Sequence, residues 1–129
     1  MAERSATGRP SPGEEVSHDV VVTRDMLAIL LGRTVHPVYG TAWMVRHAEE
    51  AGRLLVERHL TPEEDATGYR IDITHLRPAR VGQRLTVTAR CTFADEDQCV
   101  CEVEIHGPAG PVGRGTFVQR YIEKGALGS

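Results

Sequence analysis

Three polar residues, Thr41, Glu49 and His75, lie at positions where the surrounding sequence favours an apolar or a purely structural residue. A hydroxyl, a carboxylate and an imidazole can together supply a hydrogen-bonding group, a nucleophile or base, and a proton carrier. Such a set suits acyl transfer or hydrolysis. Whether it forms a site depends on the elements that position the three side chains.

His75 ends the stretch GYRIDITH, residues 68–75, which has the pattern of a β-strand. Tyr69, Ile71 and Ile73 alternate onto one face, and with a period of two the next residue on that face is His75. A core histidine that is satisfied by one hydrogen bond is the simple alternative to a catalytic role. The strand pattern leaves both interpretations open.

Glu49 belongs to the only long helix candidate, residues 41–59. On a helical wheel it lies among small and apolar neighbours, where a desolvated carboxylate would be a sharpened nucleophile or base. The alternative is that Glu49 reaches water at the side of the helix. The adjacent Glu50 has Arg46 and Arg53 at ion-pairing distance along the helix, so a solvated ion pair explains it.

Thr41 opens the same helix in the motif YGTAW. By default a threonine at this place is the N-cap, whose hydroxyl accepts a hydrogen bond from a backbone N–H of the first turn. Thr41 also lies about two turns before Glu49 and within about 80° of it around the helix axis. The free N–H groups at the start of a helix would favour a developing oxyanion.

The rest of the sequence supplies a sheet for this helix. The predicted elements, in chain order, are a strand over residues 15–23, a short helix over 24–32, a loop over 33–40, the long helix, and strands over 69–76, 84–93, 99–107 and 112–123. Short turns between the last strands make them antiparallel neighbours. The nearly all-apolar first half of the helix must pack on a five-stranded sheet that curls around it. The predicted fold class is therefore α+β, with the hotdog architecture.

The strand over residues 84–93 shows the alternation most clearly. Its predicted buried face consists of Leu85, Val87, Ala89, Cys91 and Phe93. The three cysteines form neither a zinc-binding spacing nor an even disulfide framework. We therefore expect reduced thiols that act as small apolar core residues, at Cys91, Cys99 and Cys101.

Composition excludes several classes of protein. The 129 residues suffice for one domain, and 15 Lys and Arg against 18 Asp and Glu leave no basic excess for binding nucleic acid. No apolar run approaches the roughly 18 residues that cross a membrane. The N-terminal stretch lacks the apolar segment of a signal peptide, so we expect a cytoplasmic protein. We predict a disordered tail over residues 1–13, one domain over 14–123 and a short tail over 124–129.

Three separated segments resemble one known family. They are TAWMVRHAEEAG (41–52), GYRIDITHLRPARVGQRLTVTARC (68–91) and GPVGRGTFVQRYI (110–122). Together they are similar to the hotdog thioesterases related to fluoroacetyl-CoA thioesterase. That family has a Thr at the start of its central helix, a Glu eight residues later, a strand ending in Thr-His, and a Gly-x-x-Val-x-Val segment. In this sequence Leu85 replaces the first Val of that last segment.

The resemblance implies a hydrolase that acts on an acyl-CoA or acyl-carrier-protein thioester. It implies no cofactor apart from coenzyme A as part of the substrate, no metal, and a homodimer with sites at the subunit junction. In this family Glu49 would attack the thioester carbonyl or activate water. His75 would assist the leaving thiolate and the hydrolytic water, and Thr41 would position the acyl group or the water.

The resemblance also assigns residues to substrate binding. Gly68 matches a family glycine that would offer a backbone N–H to the carbonyl, and Arg120 matches an arginine near the last strand. The phenylalanine-bearing lid segment of the fluoroacetyl enzyme is shorter here and has no Phe, so recognition of a fluorinated acyl group is not implied. We expect Tyr39, Gly40 and Trp43 to contact a different, larger acyl chain, with the two aromatic rings lining its pocket.

Two other functions use the same fold. A hotdog dehydratase would pair His36 with Glu49 and leave His75 without a role, whereas a non-catalytic hotdog protein would bind an acyl or natural-product ligand. A metal site formed by His47 and Glu50 would lack a second pair of ligands. The remaining histidines form no pattern and are expected to be exposed; they are His18, His59 and His106.

Overall fold

The computed structural model describes residues 8–128, which form one α-helix and seven strands. In chain order these are β1 (Glu15–Val21), β2 (Leu27–Leu30), β3 (Arg33–Tyr39), α1 (Thr41–Glu57), β4 (Glu64–His75), β5 (Arg84–Ala94), β6 (Gln98–Gly107) and β7 (Gly110–Glu123). One turn of 3₁₀-helix, Arg24–Met26, precedes β2. None of the helices in this part of the chain is long and apolar enough to cross a membrane.

Five of the strands form an antiparallel sheet in the order β1-β5-β6-β7-β4. α1 contacts all five of them, so the sheet encloses the helix. This arrangement confirms the predicted α+β hotdog architecture. β4 is an edge strand that pairs only with β7 among the described strands, and α1 runs beside it.

The core lies between α1 and the inward face of the sheet. The helix contributes Met44, Ala48, Ala51 and Leu55, and the two central strands contribute Leu85, Val87, Ala89, Cys91, Cys99, Cys101, Val103 and Ile105. Burying each large aliphatic side chain contributes about 1.5–3 kcal/mol to folding. The three cysteines are buried and free, as the sequence predicted. Alanines on the helix allow it to lie close to the sheet.

Two aromatic side chains that were predicted to be buried are exposed instead. Tyr69 is 64% exposed and Phe93 is 48% exposed, and a shift in strand register accompanies each of them. A β-bulge adds one residue to a strand and so reverses the side-chain alternation beyond it. The prediction that Tyr69 shares a buried face with Ile71 and Ile73 is therefore wrong, whereas the inward position of His75 is correct.

The segment before α1 differs most from the prediction. Instead of a short helix and a loop, β2 and β3 form a two-stranded hairpin. Leu31 and Gly32 form its two-residue turn with φ values of 54° and 76°, the conformation typical of a type I′ turn. The hairpin pairing overrides the helical propensity of the Leu- and Ala-rich stretch. It leaves large apolar side chains exposed at Ile29, Leu30, Leu31 and Val35.

The end of the predicted N-terminal tail is packed against the domain. Arg9 donates hydrogen bonds of 2.9 Å to both carboxylate oxygens of Glu64, and Pro10 is buried. A bidentate pair of this kind requires a defined geometry, so the chain is ordered at Arg9. The disordered tail that was predicted over residues 1–13 therefore extends too far. Residues 1–7 lie outside the described part of the chain. At the other end, residues 124–127 form exposed turns after β7.

Candidate active site

The start of α1 and the end of β4 meet, and this brings Thr41 and His75 into contact. Thr41 Oγ1 and His75 Nδ1 are 2.9 Å apart, which is a hydrogen bond. Gly40, and not Thr41, is the N-cap residue of α1. The default interpretation of Thr41 as a helix cap is therefore wrong, and its hydroxyl bonds the imidazole instead.

Gly40 allows β2 to approach the start of the helix. A Cβ at this position would lie 3.1 Å from the backbone oxygen of Leu27 and 3.2 Å from the Cα of Ala28. The Gly40 N–H also donates to the backbone oxygen of Met26 at 2.8 Å. These contacts fix the direction in which the chain enters α1 at Thr41. Gly40 is buried against β2, and this is where the structure places that predicted substrate-binding residue.

His75 is half-buried at the end of its strand. Burial lowers the pKa of His75, and a backbone hydrogen bond with Arg77 acts in the opposite direction. The imidazole is therefore neutral at neutral pH. Its Nε2 atom is buried and has no hydrogen-bond partner among the described residues. A neutral imidazole bonded to a hydroxyl through one nitrogen can accept a proton at one ring atom and donate from the other.

Two almost fully buried residues, Tyr39 and His47, lie behind this pair, with exposures of 1% and 4%. Tyr39 Oη and His47 Nδ1 are 2.6 Å apart. The rings of Tyr39 and His75 meet edge-on, with their centroids 6.3 Å apart and their planes at 76°. Tyr39, which the sequence assigned to an acyl pocket, therefore lies in the core against the back of His75. His47 was considered from sequence only as a metal ligand.

Trp43 lies on the outer side of His47. Its ring centroid is 5.6 Å from that of His47, and the Arg46 guanidinium lies 5.0 Å from the centre of the indole. His18 faces inward from β1, with its Nε2 atom buried. The prediction that His18 is exposed is therefore wrong. Within residues 8–128, no group of three or more His, Cys, Asp or Glu side chains could hold a metal ion.

Glu49 lies in a second region, a groove of about 270 Å³ between α1 and β4. Its side chain is exposed, and one carboxylate oxygen lies beside Gly68. A Cβ on Gly68 would be 2.9 Å from Glu49 Oε2 and 3.4 Å from the ring of Phe117. Only glycine therefore lets the carboxylate lie against the strand. Phe117 and Gln119 of β7 also line the groove.

The other charges near Glu49 are paired with one another. Arg46 and Glu50 form an ion pair at 3.3 Å, and Arg53 binds Asp65 at 2.7 Å. The first pair confirms the interpretation of Glu50 as a solvated partner of a helix cation, and the second holds α1 against β4. No hydrogen bond or ion pair within residues 8–128 involves Glu49. Its carboxylate is therefore available to a bound molecule.

The two regions are separate within one chain. Glu49 follows Thr41 by eight residues, which is about 12 Å along a helix axis. Gly68 precedes His75 by seven residues, which is about 23 Å along an extended strand. No hydrogen bond in the described part of the chain joins Glu49 to either Thr41 or His75. One subunit therefore brings two of the three predicted residues together, and the third lies apart from them in the groove between α1 and β4.

Two further predicted residues lie away from both regions. Arg120 points to the outer face of the sheet, where its guanidinium is 5.0 Å from the centre of the Tyr69 ring. Its neighbour Gln119 points inward and donates to the backbone oxygen of Gly52 at 3.1 Å. His36 is exposed on β3 and makes no contact with Glu49 in the hydrogen bonds and ion pairs of residues 8–128.

Solved structures place this fold in one class of proteins. A thioesterase superfamily member from Thermus thermophilus is 32% identical, with a TM-score of 0.87 over 91% of this chain and 87% of that chain. A hot-dog-like protein from Thermanaerovibrio acidaminovorans, 17% identical, has the same fold, with a TM-score of 0.83 over 90% of this chain and 86% of that one. The fold and the 32% identity therefore define a hotdog protein of the thioesterase superfamily.

Within that superfamily, the model of the fluoroacetyl-CoA-specific thioesterase family matches residues 22–125. The chain belongs to this family, which confirms the resemblance seen in the sequence. A variant of the fluoroacetyl-CoA-specific thioesterase FlK, solved in complex with fluoroacetate and CoA, is 25% identical. Its TM-score is 0.83 over 91% of this chain and 98% of that chain. No curated protein matches the sequence.

Proposed function

We propose that the protein hydrolyses an acyl thioester of coenzyme A or of acyl carrier protein, and that Thr41, Glu49 and His75 carry the reaction. The hydrogen bond between Thr41 and the neutral, half-buried His75 is the observation that carries this proposal. The unpaired carboxylate of Glu49 in the groove between α1 and β4, and membership of a thioesterase family, support it. The complex of FlK with CoA supports a CoA thioester as substrate.

The proposed reaction transfers one proton from water to the departing sulfur. Glu49 removes a proton from water while the water oxygen bonds to the carbonyl carbon, and the tetrahedral intermediate then breaks its C–S bond. The proton passes from Glu49 to the departing sulfur by way of His75. The products are a carboxylic acid and a free thiol. Direct attack by Glu49, which would form an anhydride that water then cleaves, is the alternative route.

Gly68 and Thr41 assist this chemistry without exchanging protons in it. In the proposal, the acyl carbonyl lies beside Gly68, where Glu49 meets the strand and no side chain occupies the space. Thr41 orients the imidazole through the hydrogen bond to Nδ1. The proposed mechanism gives Tyr39 and Arg120 no role in substrate binding. Tyr39 is buried in the core, and Arg120 lies against the Tyr69 ring on the outer face of the sheet.

A homodimer would complete the site. β4 is an edge strand of twelve residues, and such an edge offers its unpaired N–H and C=O groups to another strand. Antiparallel pairing of β4 with a second copy would extend the sheet across a two-fold axis. Asp72 lies about midway between Gly68 and His75 along β4. A two-fold axis near Asp72 would place His75 of one subunit beside the groove of the second copy, which contains the Glu49 carboxylate.

A panel of acyl-CoA and acyl-carrier-protein thioesters tests the proposed activity. We expect free thiol to be released from at least one of them, and much less from His75→Ala. Wild-type protein that releases no thiol from any thioester, yet binds an acyl ligand, would identify a binding protein instead. Loss of activity in His36→Ala combined with full activity in His75→Ala would identify the dehydratase function.

Subunit mixing tests the shared site. Glu49→Gln and His75→Ala subunits are each inactive in the proposal, but a mixed dimer would contain one site with both native residues. Unfolding and refolding an equal mixture should then restore about a quarter of the wild-type activity, because random pairing makes half of the dimers mixed. Absence of recovery in a mixture shown to contain mixed dimers would place both residues in one subunit.

A further inference from the structure

We propose that Tyr39 and His47 are positioning residues for the Thr41–His75 pair, a role that rests on the proposed function. The observation behind it is a buried hydrogen bond of 2.6 Å between the two side chains, one of which, Tyr39, meets the ring of His75 edge-on. With exposures of 1% and 4%, neither side chain reaches a bound substrate, so both would act through their neighbours.

The first effect is on the backbone at Thr41. Tyr39 is the last residue of β3, and only Gly40 separates it from the first residue of α1. His47 lies nearly two turns further along that helix. The hydrogen bond between them therefore ties the end of the strand to the body of the helix. It fixes the turn through which Thr41 enters the site.

The second effect is on the ring of His75. The rings of Tyr39 and His75 meet edge-on, and because Tyr39 is buried this contact lies on the core side of the imidazole. Packing against a fixed aromatic ring restricts rotation of the imidazole and keeps Nδ1 directed at Thr41. The Tyr39 ring is itself held by its hydroxyl, so the two effects depend on the same hydrogen bond.

Burial keeps both partners of that hydrogen bond neutral, because it raises the pKa of Tyr39 and lowers the pKa of His47. We assign the tautomer in which the Tyr39 hydroxyl donates and Nδ1 of His47 accepts. The charged or titratable groups that face His47 are His18 from β1 and two residues of its own helix, Arg46 and Glu50. Leaving a buried donor or acceptor without its partner costs free energy. Removing either partner should therefore have about the same effect as removing both.

Four variants test this role. Tyr39→Phe keeps the ring and removes the hydroxyl, His47→Leu removes the acceptor, and His47→Asn keeps an acceptor oxygen near the place of Nδ1. The first two should each lower kcat about tenfold or more with KM unchanged, because small displacements of reacting groups are expensive. His47→Asn should recover most of the loss. The double variant Tyr39→Phe/His47→Leu should be no slower than the worse single variant, because both remove one hydrogen bond.

Tyr121→Phe is the control, because it removes a tyrosine hydroxyl that is also buried but has no hydrogen-bond partner among the described residues. Tyr121 lies at the opposite end of β7 from the residue that pairs with His75. The Tyr121→Phe variant should leave kcat unchanged. An equal loss in Tyr121→Phe, or additive losses in the double variant, would overturn the proposal by showing a general effect on packing. Tyr39→Phe and His47→Asn preserve the shape of the side chains, so we expect both variants to fold. Thermal unfolding of each variant identifies any that has lost its fold.

A second measurement separates this proposal from the proposed function. The ring ¹⁵N chemical shifts of His75 report its tautomer and its hydrogen bond to Thr41, and they require no substrate. Tyr39→Phe and His47→Leu should shift these resonances toward those of Thr41→Val, whereas Tyr121→Phe should not. If wild-type protein cleaves no thioester but the shifts behave in this way, only the proposed function fails. Unchanged His75 resonances in both variants would overturn the positioning role.

Discussion

The Thr41–His75 pair and the Glu49 groove are two separate parts of the proposed site, and they are built differently. Thr41 and His75 reach each other inside one chain, with a second layer of buried side chains behind them. Glu49 lies exposed beside Gly68 and has no hydrogen-bond partner within residues 8–128. The first part is held by the packed core, whereas the second lies along the open edge of the sheet. A side chain on an open edge gains its surroundings from whatever covers that edge.

The largest expected effect comes from removing the charge of Glu49. Glu49→Gln should lower kcat for thioester hydrolysis by about a thousandfold, because a general base or nucleophile contributes on this scale. Glu50→Gln is the matched control, since the neighbouring carboxylate is exposed and paired with Arg46. Steady-state kinetics of both variants measure the difference. Equal activities would remove Glu49 from the mechanism.

The next effect comes from breaking the hydrogen bond between Thr41 and His75. Thr41→Val keeps the shape of the side chain and should lower kcat by about a hundredfold, because the imidazole loses its orienting partner. Thr41→Ser keeps the hydroxyl and should stay within a few fold of wild type. A Thr41→Val variant as active as Thr41→Ser would show that the bond to His75 has no catalytic role.

A smaller effect is expected at the strand beside Glu49. In Gly68→Ala the new Cβ would lie 2.9 Å from the Glu49 carboxylate, so we expect the carboxylate to move and kcat to fall about tenfold. Gly107→Ala, where a Cβ would lie 3.1 Å from a side-chain atom of Val112, is the control for crowding elsewhere in the sheet. If both variants lose activity equally, the effect at Gly68 is not specific to the groove.

The smallest effect is on stability as a function of pH. Burial lowers the pKa values of His47 and His75 in the folded protein below the unfolded value near 6.5. Above that pH both histidines are neutral in the folded and in the unfolded protein, so they do not change the free energy of unfolding. As the pH falls below it, the unfolded chain binds protons first, so the free energy of unfolding decreases until the folded pKa values are passed.

Urea unfolding at pH 7.5 and pH 5.5 measures this decrease. His47→Asn should show a smaller decrease than wild type, because one of the two depressed histidines is gone. His106→Asn is the control, since that histidine is exposed on the outer face of β6. An unchanged pH dependence in His47→Asn would show that His47 does not contribute to it.

Much of this molecule is predictable from local patterns. The alternation in β5 and the long apolar helix predict the sheet, the helix and most of the core, because burial imposes periods of 2 and 3.6 on the sequence. The same periods place His75 on the inward face and Thr41 at the start of α1. The bulges at Tyr69 and Phe93 are not visible in such patterns, because one inserted residue changes the face without changing the composition.

The β2–β3 hairpin was missed for a related reason. Its Leu- and Ala-rich sequence favours a helix in isolation, and the decisive feature is a turn with positive φ at Leu31 and Gly32. Only the glycine of that turn carries a sequence signal. Likewise, Tyr39 and His47 have no motif that marks them as a pair. Their contact depends on how the chain enters α1 from β3.

The sequence by itself determined the fold class, the family and the identity of three chemically competent side chains, since these follow from periodicity and from residue types at set spacings. The tertiary structure decided which of those side chains touch. Thr41 meets His75 because the start of a helix and the end of a strand converge, and Glu49 remains apart because eight helical residues separate it from Thr41. Distances of this kind depend on how rigid elements pack, which no local pattern encodes.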